Sequence, residues 1–196
     1  MKVNIFDSER TATYVDIKDN SHKQLTLMNF TIDGVTYPQL NGNRVGNEVA
    51  KGYSLVFRTQ PHGEVSINGS SVTLKDEKGI EFDAFTTADL VSVEIGIFKT
   101  LGHSGFGGPQ NKYWTFVYFE LADKEYYFVN LATDLSLKLL NSDLFNGIKV
   151  VDSLNLKAIE GSLNELELTK IFNAQYEQMI VGTEYPKFMK MLGTAM

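Results

Sequence analysis

The chain contains no cysteine. That excludes a disulfide framework, a thiolate metal site and a cysteine nucleophile. It also fits a reducing compartment. Histidine is nearly as scarce. His22, His62 and His103 fall in three separate turns or loops, with no H-x-H or H-E-x-x-H spacing among them. Asp16-Ile17-Lys18-Asp19 lacks the glycine and distal glutamate of a calcium loop. The histidines are therefore expected in solvent, and no metal or cofactor is expected. Basic clusters are missing as well: the 18 Lys and Arg are scattered singly in a chain of net charge −6. DNA, RNA and anionic membrane surfaces need a concentrated positive patch, so they are poor partners. No run approaches the roughly 18 apolar residues of a membrane span. The opening MKVNIFDSERTATYV lacks the apolar centre of a signal peptide. The expected location is cytoplasmic, which leaves the glycosylation patterns at Asn29 and Asn68 without meaning. No internal repeat or low-complexity tract stands out.

What is present is apolar and aromatic: 43% hydrophobic and 12% aromatic over 196 residues. That suits one domain, or one domain with an extension, able to bury a core without staples. The densest stretch runs from Tyr113 to Asn141. Alternate side chains of a strand point to opposite faces. Trp114, Phe116 and Tyr118 would share one face; Tyr113, Val117, Phe119 and Leu121 would share the other. Neither face is polar, so both should be covered. A loop at Asp123-Lys124 would set Phe119 opposite Phe128 and Tyr118 opposite Val129. Thr133 or Asp134 can then cap a helix over 133–142, with Leu135, Leu139 and Leu140 on one stripe and Asn146-Gly147 ending the unit.

Earlier segments read as strands and turns. Thr13–Ile17 alternates weakly, and Leu25–Ile32 reads as one strand ending at Asp33-Gly34. Pro38–Gly52, rich in Gly and Asn, reads as a long loop, and Tyr53–Phe57 as a strand. Around Asn68-Gly69 the apolar positions decide the register. A four-residue loop, Asn68 to Ser71, pairs Ile67 with Val72 and Val65 with Leu74 and keeps the apolar side chains on one face, whereas a two-residue Asn68-Gly69 turn does not. Ile80, Phe82 and Ala84 alternate on the next strand, and Val91, Val93, Ile95 and Ile97 show the cleanest period of two. Leu101–Asn111 (LGHSGFGGPQN) reads as a glycine-rich connection. Further on, Ile148–Val151 is a short strand. Ser162-Leu163-Asn164-Glu165 reads as a capping box opening a helix of about 18 residues. Gly182 ends it, and a last short helix carries Phe188, Met191 and Leu192.

Strands up to residue 131 and helices afterwards predict an α+β fold, an antiparallel β-rich part followed by C-terminal helices. Seven strands are expected from Tyr53 onward (53–58, 64–67, 72–75, 80–85, 90–97, 113–121 and 124–131), then the helix at 133–142. The rhythm of VSINGSSVTLKDEKGIEFDAFTTADLVSVEI followed by YWTFVYFELADKEYYFV resembles the pleckstrin-homology-like superfold, including its GRAM-type members. The resemblance is of pattern and covers about half of the chain. It implies a split barrel or sandwich over 53–142, with 1–52 packed on it and 143–196 as a helical extension. It also implies a binding role toward phosphoinositides, peptides or proteins. Lipid-binding members use basic residues between the first two strands. Here that loop is Thr59–Gly63, with Arg58 alone beside it, which departs from the pattern.

Candidate sites are few. The loop Gly102–Pro109, with His103 beside it and Phe106 at its centre, fits neither a P-loop nor a dinucleotide fingerprint, and lies between strands. It reads first as a hairpin tip and second as a binding loop. Phe188 and Met191 form an apolar end that either packs on the domain or meets another chain. Glu120 with Glu94 is a conceivable carboxylate pair for a hydrolase. Trp114, Tyr118 and Tyr127 could form a stacking platform, although a core role explains them without a ligand. The leading expectation is a non-catalytic protein that binds a peptide, a protein or itself. A phage or particle-assembly component, and a hydrolase with acidic residues, are the alternatives.

Overall fold

The structure, a computed structural model, describes residues 12–15, 22–37, 63–76, 78–103 and 109–186. The expected strand at 53–58 lies outside them, as do Phe106, Phe188 and Met191. Eleven strands are described: β1 (Ala12–Val15), β2 (His22–Leu27), β3 (Asn29–Ile32), β4 (Val35–Tyr37), β5 (Gly63–Asn68), β6 (Ser71–Asp76), β7 (Glu81–Thr86), β8 (Leu90–His103), β9 (Pro109–Leu121), β10 (Glu125–Asn130) and β11 (Lys149–Val151). The α-helices are α1 (Asp134–Leu140) and α2 (Glu165–Met179).

The strands form two sheets. The larger runs β1-β2-β10-β9-β8-β11 and the smaller β4-β3-β5-β6-β7. Neither closes on itself, and most pairings are antiparallel. Three are parallel: β2 with β10, β3 with β5, and β8 with β11. Mixed α and β content with mainly antiparallel sheets agrees with the expected class.

The expected single strand Leu25–Ile32 is broken at Met28. There the chain leaves the larger sheet and enters the smaller one, and the Met28 N–H donates to the Val129 carbonyl at 3.0 Å. Asp33-Gly34 turns the chain into β4 with both residues at positive φ (48° and 82°), as a tight hairpin turn requires. In the β5–β6 hairpin the apolar register holds: Ile67 faces Val72 and Val65 faces Leu74. The loop is shorter than the expected four residues: Asn68 and Ser71 still pair, so only Gly69 and Ser70 make the turn.

The aromatic hairpin turns one residue earlier than expected, at Ala122-Asp123, where the Leu121 N–H donates to the Lys124 carbonyl at 2.9 Å. Phe119 therefore faces Tyr126, and Tyr118 faces Tyr127. The shift is by an even number of positions across the pair, so the faces are unchanged. Phe119 and Phe128 still meet diagonally as an edge-to-face pair, centroids 5.8 Å apart.

The core lies between the sheets. Phe30, Ile32, Val65, Ile67, Val72, Leu74 and Phe85 of the smaller sheet are buried, as are Phe119 and Phe128 of the larger. Phe30 meets Phe128 and Phe85 meets Phe119, both edge to face. The same face of the larger sheet receives the helical part. Phe145 packs on Phe119, the Thr115 hydroxyl donates to the Ala132 carbonyl at 2.6 Å, and Tyr113 packs on Phe172 and Tyr176 of α2.

Two helix starts differ from expectation. The box that opens α2 is Asn164 with Glu167, two residues past Ser162. Ser162 instead donates to Glu160. Glu165 is engaged elsewhere, at the start of α1, where Thr133 makes no side-chain cap of its own.

Candidate functional site

Two surfaces carry side chains that could engage a ligand. The first is the outward face of the larger sheet. Ser92 and Glu94 of β8, Tyr118 and Glu120 of β9, and Glu125 and Tyr127 of β10 share it by alternation. Glu94 pairs with Tyr118, Ser92 with Glu120, and Tyr118 with Tyr127. Glu94 and Glu120 are thus diagonal neighbours. Their surroundings already occupy much of the hydrogen-bonding capacity on this face. The Ser92 hydroxyl donates to Glu120, and both Tyr118 and Tyr127 donate to the same oxygen of Glu125. The tyrosine rings lean together with centroids 4.7 Å apart. Burial first, then the carboxylates of Glu125 and Glu120, push the Tyr118 phenol well above its ordinary pKa. Tyr118 therefore stays a neutral donor across the physiological range. Trp114 cannot join a stacking platform, being fully buried and stacked on Phe98.

The second surface is β7, the terminal strand of the smaller sheet. Among the described residues no strand pairs with its outer edge. Here the sequence pattern misleads. Ile80, Phe82 and Ala84 do alternate in sequence, but Phe82 and Ala84 point outward and Ile80 falls just before β7. Val72 pairs with Phe85 and Thr73 with Ala84, so Phe85 is the residue that enters the core. A register irregularity after Leu74 reconciles the charged turn with that parity. Ile80 is left 61% exposed and Phe82 55% exposed. The parity of Phe85 against Val72 and Leu74 was the available signal.

The strand carrying Phe82 is held at both ends. Before it, the Asp76 carboxylate accepts the N–H groups of Lys78 and Ile80, each at 2.8 Å, while Gly79 supplies a positive φ of 77°. After it, Asp89 accepts both the N–H and the hydroxyl of Thr86 at 2.7 Å. At mid-strand Asp83 receives Lys124 at 2.5 Å and the Tyr126 hydroxyl. Burial opposes ionisation of Asp83, but the Lys124 and Tyr126 hydrogen bonds outweigh it and hold its pKa below the ordinary value. Tyr126 in turn stacks between Phe85 and Phe128.

Of the residues singled out from sequence, His103 ends β8 opposite Pro109. The connecting residues 104–108 lie outside the described residues. The strands run further into the glycine-rich connection than expected, with Leu101 paired to Asn111 and Gly102 to Gln110. His22 starts β2. Phe106, Phe188 and Met191 lie outside the described residues. Among the described residues no cluster of three or more His, Asp or Glu could hold a metal ion. No described helix is long and apolar enough to cross a membrane.

Comparison with protein-family models, with curated proteins and with solved structures finds no match.

Proposed function

We propose that this protein is a non-catalytic binding protein, and that an extended peptide or a protein segment docks along β7. The observation that carries this is an exposed apolar pair, Phe82 on β7 and Ile80 just before it, at a sheet edge with which no strand pairs among the described residues. Sheet edges left open are templates for a further strand, and folded proteins ordinarily blunt them. Here Glu81 and Asp83 flank the edge, yet the outward ring of Phe82 is kept. In strand addition the main chain supplies affinity, and pockets for alternate side chains supply selectivity. The anchored ends of β7 lower the ordering cost of such docking.

A pleckstrin-homology-like origin is part of this reading. Its support is the order of elements: two three-stranded meanders, 63–86 and 90–130, followed directly by α1. The cytoplasm is the proposed setting.

The test is selection from a random peptide display library. Enriched sequences should alternate apolar residues and bind the wild type. Phe82→Asp should weaken them about tenfold or more, as truncation of an interface anchor does, while thermal stability stays unchanged. Equal binding by Phe82→Asp would remove β7 from consideration. Sedimentation of the free protein separates a foreign partner from self-pairing, in which β7 of two copies would join.

A further inference from the structure

We propose that Asp134 and Glu165 share one proton across the junction of α1 and α2, and that this proton fastens the first turn of α2 to the start of α1. The geometry is specific. Glu165, the first residue of α2, reaches over to the beginning of α1. There it accepts the Thr133 hydroxyl at 2.6 Å on one oxygen and the Asp134 N–H at 2.9 Å on the other. It acts as the cap that α1 does not supply from its own Thr133. The residue as a whole is exposed, but its carboxylate is turned inward to these donors.

The second observation is an orphan. The Oδ1 atom of Asp134 is buried and has no hydrogen-bond partner. Buried acceptors are rarely left so. The group at hand that can satisfy it is the Glu165 carboxyl in its protonated form, donating to Asp134. Two like charges in contact cannot both ionise cheaply, which is the logic of paired carboxyls sharing a proton.

The surrounding charges do not relieve the pair. Among the described residues no lysine or arginine forms an ion pair with either carboxylate. Glu167, two residues on, is folded back onto the Asn164 amide at 3.0 Å. Lys138 of α1 and Lys170 of α2 are exposed. The turn at Leu156–Ala158, which packs on α1, has Asp152 directed at the N–H groups of Leu156 and Lys157. Where β9 meets α2, the contacts are those of uncharged Asn111 and Tyr113 with Asn173, two turns further along. A cation is disfavoured between the carboxylates, because Thr133 and the amide of Asp134 already present donors there.

Burial, and then Asp134, push the Glu165 carboxyl up to about 7 from its ordinary 4.5. A raised folded-state pKa means that the native protein holds a proton which the unfolded chain has released. The fastening is fully present below the unfolded value near 4.5 and is lost as pH rises through about 7. The fold thus carries a joint that loosens on going from mildly acidic to mildly alkaline medium.

Thermal unfolding of the full chain, wild type against Glu165→Gln, tests this between pH 4.5 and 8.5. Glutamine keeps an acceptor for the Asp134 amide and offers Asp134 a permanent donor. The variant should match the wild type at low pH and exceed its Tm by roughly 4 °C or more at pH 8. Parallel curves would overturn the proposal. Should the variant fold poorly, carbon-13 NMR of the wild-type carboxyls decides: a midpoint for Glu165 near 4.5 refutes the shared proton, and one near 7 supports it. A wild-type curve displaced by millimolar calcium or magnesium would also overturn it, since the pair would then be sharing a metal ion.

Discussion

Phe119 shows how one aromatic side chain joins separate parts of the chain. It is fully buried and touches Phe85 from the smaller sheet, Phe128 from the neighbouring strand and Phe145 beyond α1. Truncation leaves a cavity that three rigid rings cannot fill. Phe119→Ala should therefore cost about 3–5 kcal/mol in urea unfolding. Gly96 presents the opposite problem. A Cβ there would lie 1.5 Å from the Tyr185 hydroxyl oxygen, so the tyrosine lies directly over the glycine. Gly96→Ala should destabilise the wild type by about 1–3 kcal/mol through overpacking, and should cost almost nothing in a Tyr185→Ala background. Equal costs in the two backgrounds would place the strain elsewhere. The burial of Phe119 was legible in sequence, because an aromatic in an alternating strand has little other use. The role of Gly96 was not, since its partner comes 89 positions later, by the difference of the two residue numbers.

At the level of elements, most strands lie where period-two alternation places them. The β5–β6 register follows from matching apolar faces alone. The exceptions share a cause: local patterns offered two solutions, and a distant contact chose between them. The segment Ser162–Glu167 contains two overlapping capping boxes. The first, Ser162 with Glu165, fails because Glu165 is drawn to α1. The second, Asn164 with Glu167, forms in full. Asn164→Ala should thus cost about 1 kcal/mol, whereas Ser162→Ala should stay within about 0.5 kcal/mol. Chemical denaturation of the two variants distinguishes the boxes. β7 failed in the same way. Its apolar alternation was real, but pairing with β6 turned Phe85 inward and left Ile80 and Phe82 outside.

At the scale of the whole molecule, the two sheets are tied by a buried polar hub. Asn130, at the end of β10, donates to the carbonyls of Met28 at 2.8 Å and Tyr37 at 3.1 Å, and accepts the Ala132 N–H at 2.8 Å. Met28 is where the chain crosses between sheets, and Tyr37 ends β4. Asn130→Ala would remove these three buried hydrogen bonds at once, each worth about 0.5–1.5 kcal/mol. A loss of about 2–4 kcal/mol is expected, with both sheets unfolding in one transition. Two separate transitions would show that the sheets fold independently.

The sequence by itself determined the class of the fold, the strands of both central meanders, the faces of the aromatic hairpin and the absence of cysteine chemistry. These depend on periods of two or 3.6 residues and on composition, which need no long-range information. The tertiary structure decided which strands pair in parallel, where the chain crosses between sheets, which carboxylate caps α1 and which apolar stripe faces outward. Each of those is a choice between locally equivalent options. It is settled by contacts between residues far apart in the chain, where burial and the need to satisfy buried polar groups outweigh local preference.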